Sequence, residues 1–381
     1  MPSSRLAARL GQLPHDALAD LAARLCSESP ALLAAAEECM VAHTPLSDEL
    51  VERVLLSPDL VPSILGPLKA EDGAAAAVCS QWLAGWNATN EPRRRLKQVP
   101  LELPEEIDAR AANGNGLFMS ATPDGRLIVL VRFNSPEPTD VDYRVRILDS
   151  SMRVLQTVAC EHDGLIAASD DSIFHVFYEY MHRSSQDGTV QAEYELENYG
   201  FRTPVLAPGG LLFCVLWDAV NQDHERDEII ALDAQTLQLR HRFGLGLLNG
   251  ADQPVVVGDE LYVCDSFNHR LQVFSLTGEH RSSITGEWRR PERLCFAKDR
   301  LYLIEAKEDG DEAYERQGRR ILVMSLHGDV LQVVTNPTEP TATFDTICCF
   351  DGKLLASFGV RVNTSTGTNT QNVGMLALAP L

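Results

Sequence analysis

The sequence is poor in positive charge and has no long apolar run. Its 33 Lys and Arg residues face 54 Asp and Glu residues, which gives a formal net charge of −21. That balance repels a nucleic-acid backbone and favours a basic protein partner. No stretch reaches the roughly 18 apolar residues of a membrane-spanning helix, and the first residues do not resemble a secretory signal. We therefore expect a cytoplasmic or nuclear protein that binds neither nucleic acid nor a membrane.

Motifs of catalytic or metal-binding proteins are also missing. The nine cysteines form no Cys-x-x-Cys pair, which argues against a zinc site or a redox dithiol. Most of them lie inside apolar runs, as small core residues do. Phosphate-binding loops, Ser-x-x-Lys pairs and Gly-x-Ser-x-Gly elbows are absent. The sequence therefore predicts no cofactor, no metal and no catalytic residue, and it favours a binding protein.

Residues 1–97 are rich in Ala and Leu and poor in strand signals. Apolar residues recur at helical spacing from Pro14 to Leu25, with Pro near the start of the run. Ser47 is placed to cap a later helix. These residues predict an all-α N-terminal region ahead of a larger domain.

Residues 57–87 carry the most informative pattern of this region. A Pro-Asp-Leu start is followed by an Ile-Leu pair, a Leu ahead of an acidic residue, and a Val-Cys-x-x-Trp ending. At helical spacing such apolar side chains share a face, and an exposed face of this kind marks a docking site. The pattern comprises Pro58, Leu60, Ile64, Leu65, Leu68, Val78 and Trp82.

This segment resembles an F-box. The resemblance implies that these residues bind the small Skp-type adaptor of cullin-based ubiquitin ligases. The alternative is that the same face packs against the preceding helices or the large domain, so that it caps a scaffold.

From residue 98 onward, one unit recurs. Its clearest copy is Val256–Gly278, in which Gly258-Asp259 and Thr277-Gly278 are hairpin turn signals between apolar runs. Steps of roughly 40–50 residues separate equivalent apolar pairs, as in the blades of a β-propeller. The pairs are Leu127-Ile128, Ile173-Phe174, Leu212-Phe213, Leu261-Tyr262, Leu301-Tyr302 and Leu354-Leu355.

Six units predict an all-β propeller with six blades, although five blades, seven blades or an open solenoid fit the same pattern. The last unit lacks a fourth strand, and residues 99–103 are placed to supply it and close the ring. The expected blades are 116–158, 164–197, 203–243, 253–285, 293–334 and 346–379.

The pattern at 261–278, Leu-Tyr-Val-x-Asp-x-x-Asn-His-Arg-Leu-Gln-Val-Phe-x-x-x-Gly, resembles an NHL repeat. The resemblance implies that Asp265, Asn268, His269 and Arg270 hold blades together. Some similar propellers are metal-dependent lyases or hydrolases, which leaves an enzyme as a further alternative. Its candidate ligands are His175, His182, His224 and His269, but no spacing selects three of them.

Four long insertions fall between second and third strands, at 132–142, 218–228, 306–318 and 359–372, and in a propeller they share one face. Their acidic side chains predict a mouth for a basic peptide or protein, unless they are merely solvated tips. The expected contacts are Asp218, Asp223, Glu225, Asp227, Glu308, Asp309, Asp311 and Glu312. Together with the F-box resemblance, they predict the substrate-recognition subunit of a ubiquitin ligase.

Overall fold

The computed structural model describes residues 57, 60–65, 84–85, 94–104, 107, 118–134, 141–160, 164–221, 224–305, 318–364 and 367–379. The chain divides into two compact units, Met1–Arg95 and Leu96–Ala379. Most of the predicted all-α region lies outside the described residues. None of the helices among the described residues is long and apolar enough to cross a membrane.

The described part of the first unit includes a short helix, α1 (Val61–Leu65). Its first turn closes when the Val61 N–H donates to the Ser57 carbonyl at 2.9 Å. Val61 and Leu65 are buried, and a Cβ added to Gly85 would lie 2.3 Å from Val61 Cγ1. The lack of a side chain at Gly85 therefore lets this part of the unit pack closely.

The second unit begins with β1 (Lys97–Val99) and continues into six blades. Blade 1 contains β2 (Phe118–Ala121), β3 (Leu127–Asn134), β4 (Val141–Leu148) and β5 (Val154–Cys160). Blade 2 contains β6 (Leu165–Ala168), β7 (Ser172–Phe177), β8 (Tyr180–Ser185) and β9 (Val190–Glu195). Blade 3 contains β10 (Tyr199–Phe201), β11 (Val205–Ala207), β12 (Leu211–Asp218), β13 (Glu228–Asp233) and β14 (Leu239–Phe243).

Blade 4 contains β15 (Ala251–Val257), β16 (Glu260–Asp265), β17 (Arg270–Ser275) and β18 (His280–Thr285). Blade 5 contains β19 (Pro291–Ala297), β20 (Arg300–Glu305), β21 (Arg320–Met324) and β22 (Val330–Thr335). Blade 6 contains β23 (Thr343–Phe350), β24 (Lys353–Thr364) and β25 (Gly367–Ala379), with β1 as its outer strand. All neighbouring strands are antiparallel, and the predicted six-bladed propeller is confirmed.

The ring closes because β1 pairs with the last strand, with Lys97 opposite Ala379 and Val99 opposite Ala377. β1 begins two residues before the predicted closing strand, which was residues 99–103. Pro100 has no N–H to donate and cannot extend the ladder. Leu101 and Leu103 instead pack against the apolar core between blades 6 and 1.

The apolar core is distributed between the blades. Within the described residues, six buried clusters each join side chains from two neighbouring blades, including blades 6 and 1. In the cluster between blades 3 and 4, for example, Phe213 and Val215 share a core with Leu261 and Val263. Burying such a side chain is worth roughly 1.5–3 kcal/mol, so each blade is stabilised by both of its neighbours.

Two further differences from the prediction are larger than the shifts of one to three residues at the other blade boundaries. Blade 3 begins at Tyr199, not at 203, because its inner strand is divided into β10 and β11, which both pair with β12. The expected insertion at 359–372 is largely strand, because β24 and β25 run as a hairpin as far as Thr364 and Gly367. Thr and Val residues favour this extended backbone.

Candidate functional site

Connections between the second and third strands lie at the same end of the ring as connections between blades, because the antiparallel strands alternate in direction. We call this end the long-loop face. Its described connections include residues 178–179, 219–221 with 224–227, 244–250 and 266–269. All four belong to blades 2–4, so they bring distant parts of the sequence to one surface.

Exposed large apolar side chains of the described propeller fall into two groups. One group is scattered over the outer strands, at Leu155, Val190, Leu239, Val330 and Val333. The other group lies on the long-loop face in blades 2–4, and we call it the apolar patch. It comprises Tyr178, Tyr180, Val220, Leu245, Leu247 and Phe267, of which Tyr178 is 71% exposed. Apolar side chains gathered on one face mark an interaction surface more often than scattered ones do.

A row of stacked rings and guanidinium groups crosses this face from blade 3 to the start of blade 5. The Arg202 guanidinium lies 5.8 Å from the Trp217 ring, and the His224 ring stacks on Trp217 at 6.2 Å. Phe267 meets His224 edge to face at 5.0 Å, and Arg290 covers Phe267 at 4.8 Å. We call these five residues the stacked row. Trp and Arg are enriched in the centres of protein interfaces.

Short 3-10 helical turns position two members of the row. One is His224–Arg226 in blade 3, and the other is Ser266–Asn268 in blade 4. Gly200 and Gly250 leave room beneath the rings. A Cβ at Gly200 would lie 2.1 Å from Trp217 Nε1, and Gly250 also has a positive φ of 61°.

A buried carboxyl group lies beneath the stacked row. Asp227 Oδ2 accepts a hydrogen bond from the Ala251 N–H at 2.6 Å, whereas Oδ1 has no hydrogen-bond partner in the described part of the chain. His224 Nδ1 is 3.8 Å from Oδ1. Burial raises the pKa of Asp227 to about 7, although Arg202 and the Ala251 N–H oppose that shift. The group therefore changes charge near neutral pH.

The inner strands of blades 4, 5 and 6 each carry one extra residue at an equivalent position: Gln253, Glu292 and Asp345. Such β-bulges bend a strand and redirect its side chains. Asp252 and Arg293 lie next to the bulges of blades 4 and 5. Arg293 Nη1 donates to Asp252 Oδ1 at 2.9 Å, which links blade 5 to blade 4. Arg202 of blade 3 donates to the other oxygen of Asp252 at 3.4 Å. This carboxylate thus ties three blades together near the stacked row.

Two of the predicted acidic contacts are not available to a partner. Asp218 is buried, accepts hydrogen bonds from the backbone N–H groups of Val220 and Asn221, and pairs with Arg226 at 3.2 Å. Hydrogen bonds from the Asn221 side chain and backbone hold the pKa of Asp218 below its usual range. Asp227 is buried as described above. Glu225 is exposed as expected. The remaining predicted contacts, Asp223, Glu308, Asp309, Asp311 and Glu312, lie outside the described residues.

The repeat-motif residues form a dense network. Asp265 Oδ2 accepts from Arg270 Nε at 2.7 Å, while Oδ1 accepts from Asn268 Nδ2 and from the Asn249 N–H, which belongs to the connection from blade 3. His269 is in the left-handed region, at φ 54°, and its Nδ1 accepts from the Arg290 N–H. Glu305 repeats the arrangement in blade 5 with Arg320 and the Arg289 N–H. These contacts join the blade 4 hairpin to the connections on both sides of it, and the blade 5 hairpin to the connection that precedes it.

Of the predicted adaptor-binding residues, the structure describes the side chains of only two, and these differ in exposure. Leu60 is exposed, and Leu65 is buried. Leu65 is therefore not presented to a partner. The Ile64 side chain, together with Pro58, Leu68, Val78 and Trp82, lies outside the described residues.

The candidate metal ligands do not converge. His175 and His182 are cross-strand partners in blade 2, whereas His224 and His269 belong to blades 3 and 4. Across the described ranges, no group of three or more His, Cys, Asp or Glu side chains could hold a metal ion.

No protein-family model matches the chain, and no curated protein sequence matches it. Solved structures that match include a protein of unknown function from Bacteroides caccae, at 10% identity and a TM-score of 0.41, covering 56% of this chain and 78% of that one. BamB from Moraxella catarrhalis matches at 12% identity and a TM-score of 0.42, and the match covers 74% of this chain and 99% of that one. The WD40 β-propeller domain of Doa1 matches at 10% identity and a TM-score of 0.44, and the match covers 70% of this chain and 95% of that one. Similarity of this extent assigns no function to the chain.

Proposed function

We propose that the chain is a protein-interaction module whose propeller binds a peptide or protein segment on the long-loop face. The observation that carries this proposal is the gathering of exposed apolar side chains in blades 2–4 beside the stacked row. Desolvating such rings on contact with a partner supplies binding free energy, and Arg and Trp side chains add directional contacts. No catalytic step is part of this function.

The partner's chemistry follows from the same surface and from the charge of the whole chain. Apolar side chains of the partner would pack against the exposed Tyr178, Leu245 and Phe267. The net charge of −21 and the exposed Glu225 favour Lys or Arg residues on either side of them. We therefore assign to this face a basic segment with apolar anchors.

A library of random displayed peptides, selected on the intact chain, tests the assignment. Selected peptides should be enriched in aromatic and aliphatic residues flanked by Lys or Arg. Phe267→Ala should weaken their binding by roughly 30-fold, as expected for a central anchor of an interface. Leu239→Ala is the matched control, since Leu239 is 46% exposed on an outer strand and Phe267 is 40% exposed. Equal binding by both variants, with wild-type folding, would contradict the proposal.

We further propose that the module is the substrate-recognition subunit of a cullin-type ubiquitin ligase in the cytoplasm or nucleus. The support is the F-box resemblance of residues 57–87 and the exposure of Leu60 within it. Because Leu65 is buried, the Skp-type adaptor would contact Leu60 and not Leu65. The propeller would then hold the substrate while the first unit holds the adaptor.

Capture of a purified Skp-type adaptor by the intact chain tests this second role. Leu60→Glu should abolish capture, because a charge in an apolar contact is costly to desolvate. Leu155→Glu is the control and should not affect capture. Leu155 is exposed to a similar extent, at 49% compared with 46% for Leu60, but it lies on β5 of the propeller. If the wild-type chain captures no adaptor, the ligase role is wrong and the propeller acts as a scaffold without it.

A further inference from the structure

Two free thiols from neighbouring blades approach each other in the ring. Cys295 lies on β19, the inner strand of blade 5, and Cys349 lies on β23, the inner strand of blade 6. Their Sγ atoms are 3.0 Å apart. A disulfide bond is about 2.05 Å long, so the two sulfurs need to move only about 1 Å closer to bond.

Cys295 and Cys349 lie in the same apolar core, whereas the adjacent Cys348 lies in a different one. Cys295 is buried and Cys349 is partly exposed, and both pack at the core between blades 5 and 6. Side chains alternate between the two faces of a strand, so Cys348 points the other way. It packs in the core between blades 6 and 1. Of two adjacent cysteines, only Cys349 therefore faces Cys295.

We propose that Cys295 and Cys349 are a thiol-oxidation site, which a hydroperoxide converts into a disulfide between blades 5 and 6. In a reducing compartment the pair rests as thiols, and an intracellular disulfide of this kind forms transiently under oxidation. The site is independent of the long-loop face and of the proposed partner.

The chemistry balances with one molecule of hydrogen peroxide. The partly exposed Cys349 loses its proton, and its sulfur attacks a peroxide oxygen, which breaks the O–O bond and gives a sulfenic acid and water. Cys295 sulfur then attacks the Cys349 sulfur, the S–O bond breaks, and the leaving hydroxide takes the Cys295 proton as water. Two thiols are oxidised, one peroxide is reduced, and two waters form. Burial raises the pKa of the Cys295 thiol, so Cys349 is the better first nucleophile.

The test is peptide mapping of the intact chain after treatment with hydrogen peroxide and alkylation of the remaining thiols. Trypsin should release residues 294–298 joined to residues 321–353, with the mass of the two peptides less two hydrogen atoms and with one alkyl group added on Cys348. The joined peptide should disappear after reduction with dithiothreitol. The oxidised chain should also show a Tm several degrees above that of the reduced chain, because the bond links residues 54 positions apart.

Cys348→Ser is the matched control, because the longer peptide contains both adjacent cysteines. This variant should form the joined peptide as the wild type does, whereas Cys349→Ser and Cys295→Ser should not form it. A bond between Cys348 and Cys349, a joined peptide that persists in Cys349→Ser, or oxidation of Cys349 only to higher acids would overturn the proposal. The readout on the wild type and the control does not depend on the folding of the other two variants.

Discussion

The Asp265→Ala variant should lose about 3–5 kcal/mol of unfolding free energy, because it leaves buried donors without their acceptor. The Asp265 side chain is fully buried and accepts from Arg270 Nε, Asn268 Nδ2, Gln272 Nε2 and the Asn249 N–H. Removing this acceptor costs more than its hydrogen bonds contribute, since the Gln272 amide, at 1% exposure, loses an acceptor that water cannot replace. Urea unfolding, followed by tryptophan fluorescence, measures the loss.

Asp233→Ala is the control for this prediction. Asp233 accepts a similar set of hydrogen bonds, from the Gln235 and Thr236 N–H groups and from Arg240 Nη2, but its side chain is 22% exposed. Water replaces the lost contacts there, so the loss should be much smaller. Equal losses in the two variants would show that burial at Asp265 does not determine its contribution.

The repeating architecture could be predicted from the sequence because it depends on local signals. Alternating apolar residues and Gly-containing turns recur at each blade, and β-strand pairing within a blade joins residues that are close in the chain. The position of the closing strand cannot be predicted in the same way. Its register depends on Pro100 and on contacts with residues near 377–379, which local patterns do not show.

The candidate site could not be predicted because exposure depends on distant neighbours. Trp217 continues an apolar run that forms the core of β12, and nothing in that run shows that its ring meets Arg202 and His224. Conversely, Asp218 and Asp227 stand at the two ends of a polar loop, a context that predicts exposed side chains. Asp218 is buried because it satisfies N–H groups within its own loop, and Asp227 because it accepts from Ala251 of the next blade.

One signal in the sequence could have indicated the apolar patch. Phe267 lies inside the NHL-like motif, between Asp265 and Asn268, at a position where the motif itself requires no aromatic residue. An apolar residue within a polar turn is a candidate for contact with a partner, because the turn has no core of its own to bury it. Leu245 and Leu247, in the connection between blades 3 and 4, follow the same reasoning.

The Asp227→Asn variant should be more stable than the wild type above pH 7, by up to about 4 kcal/mol. The folded-state pKa of about 7 lies above the ordinary value of 3.8, because the carboxyl group is buried. Between these values the folded chain holds a proton that the unfolded chain has released, so wild-type stability falls as the pH rises from roughly 4 to 7. Asn keeps an acceptor for the Ala251 N–H and carries no charge, so the variant should lose this dependence. Urea unfolding at a series of pH values measures both effects.

Asp218→Asn, in the same loop, should behave in the opposite way. Its hydrogen bonds lower the folded-state pKa, so the ionised Asp218 contributes stability that is present above the unfolded pKa and lost as the pH falls through the folded pKa. The Asn variant should therefore be less stable than the wild type at neutral pH, with a difference that shrinks in acid. If Asp227→Asn were destabilising at pH 8, the carboxylate would be stabilised by Arg202 and His224 more than burial destabilises it. The stacked row above it would then rest on an ion pair and not on a buried acid.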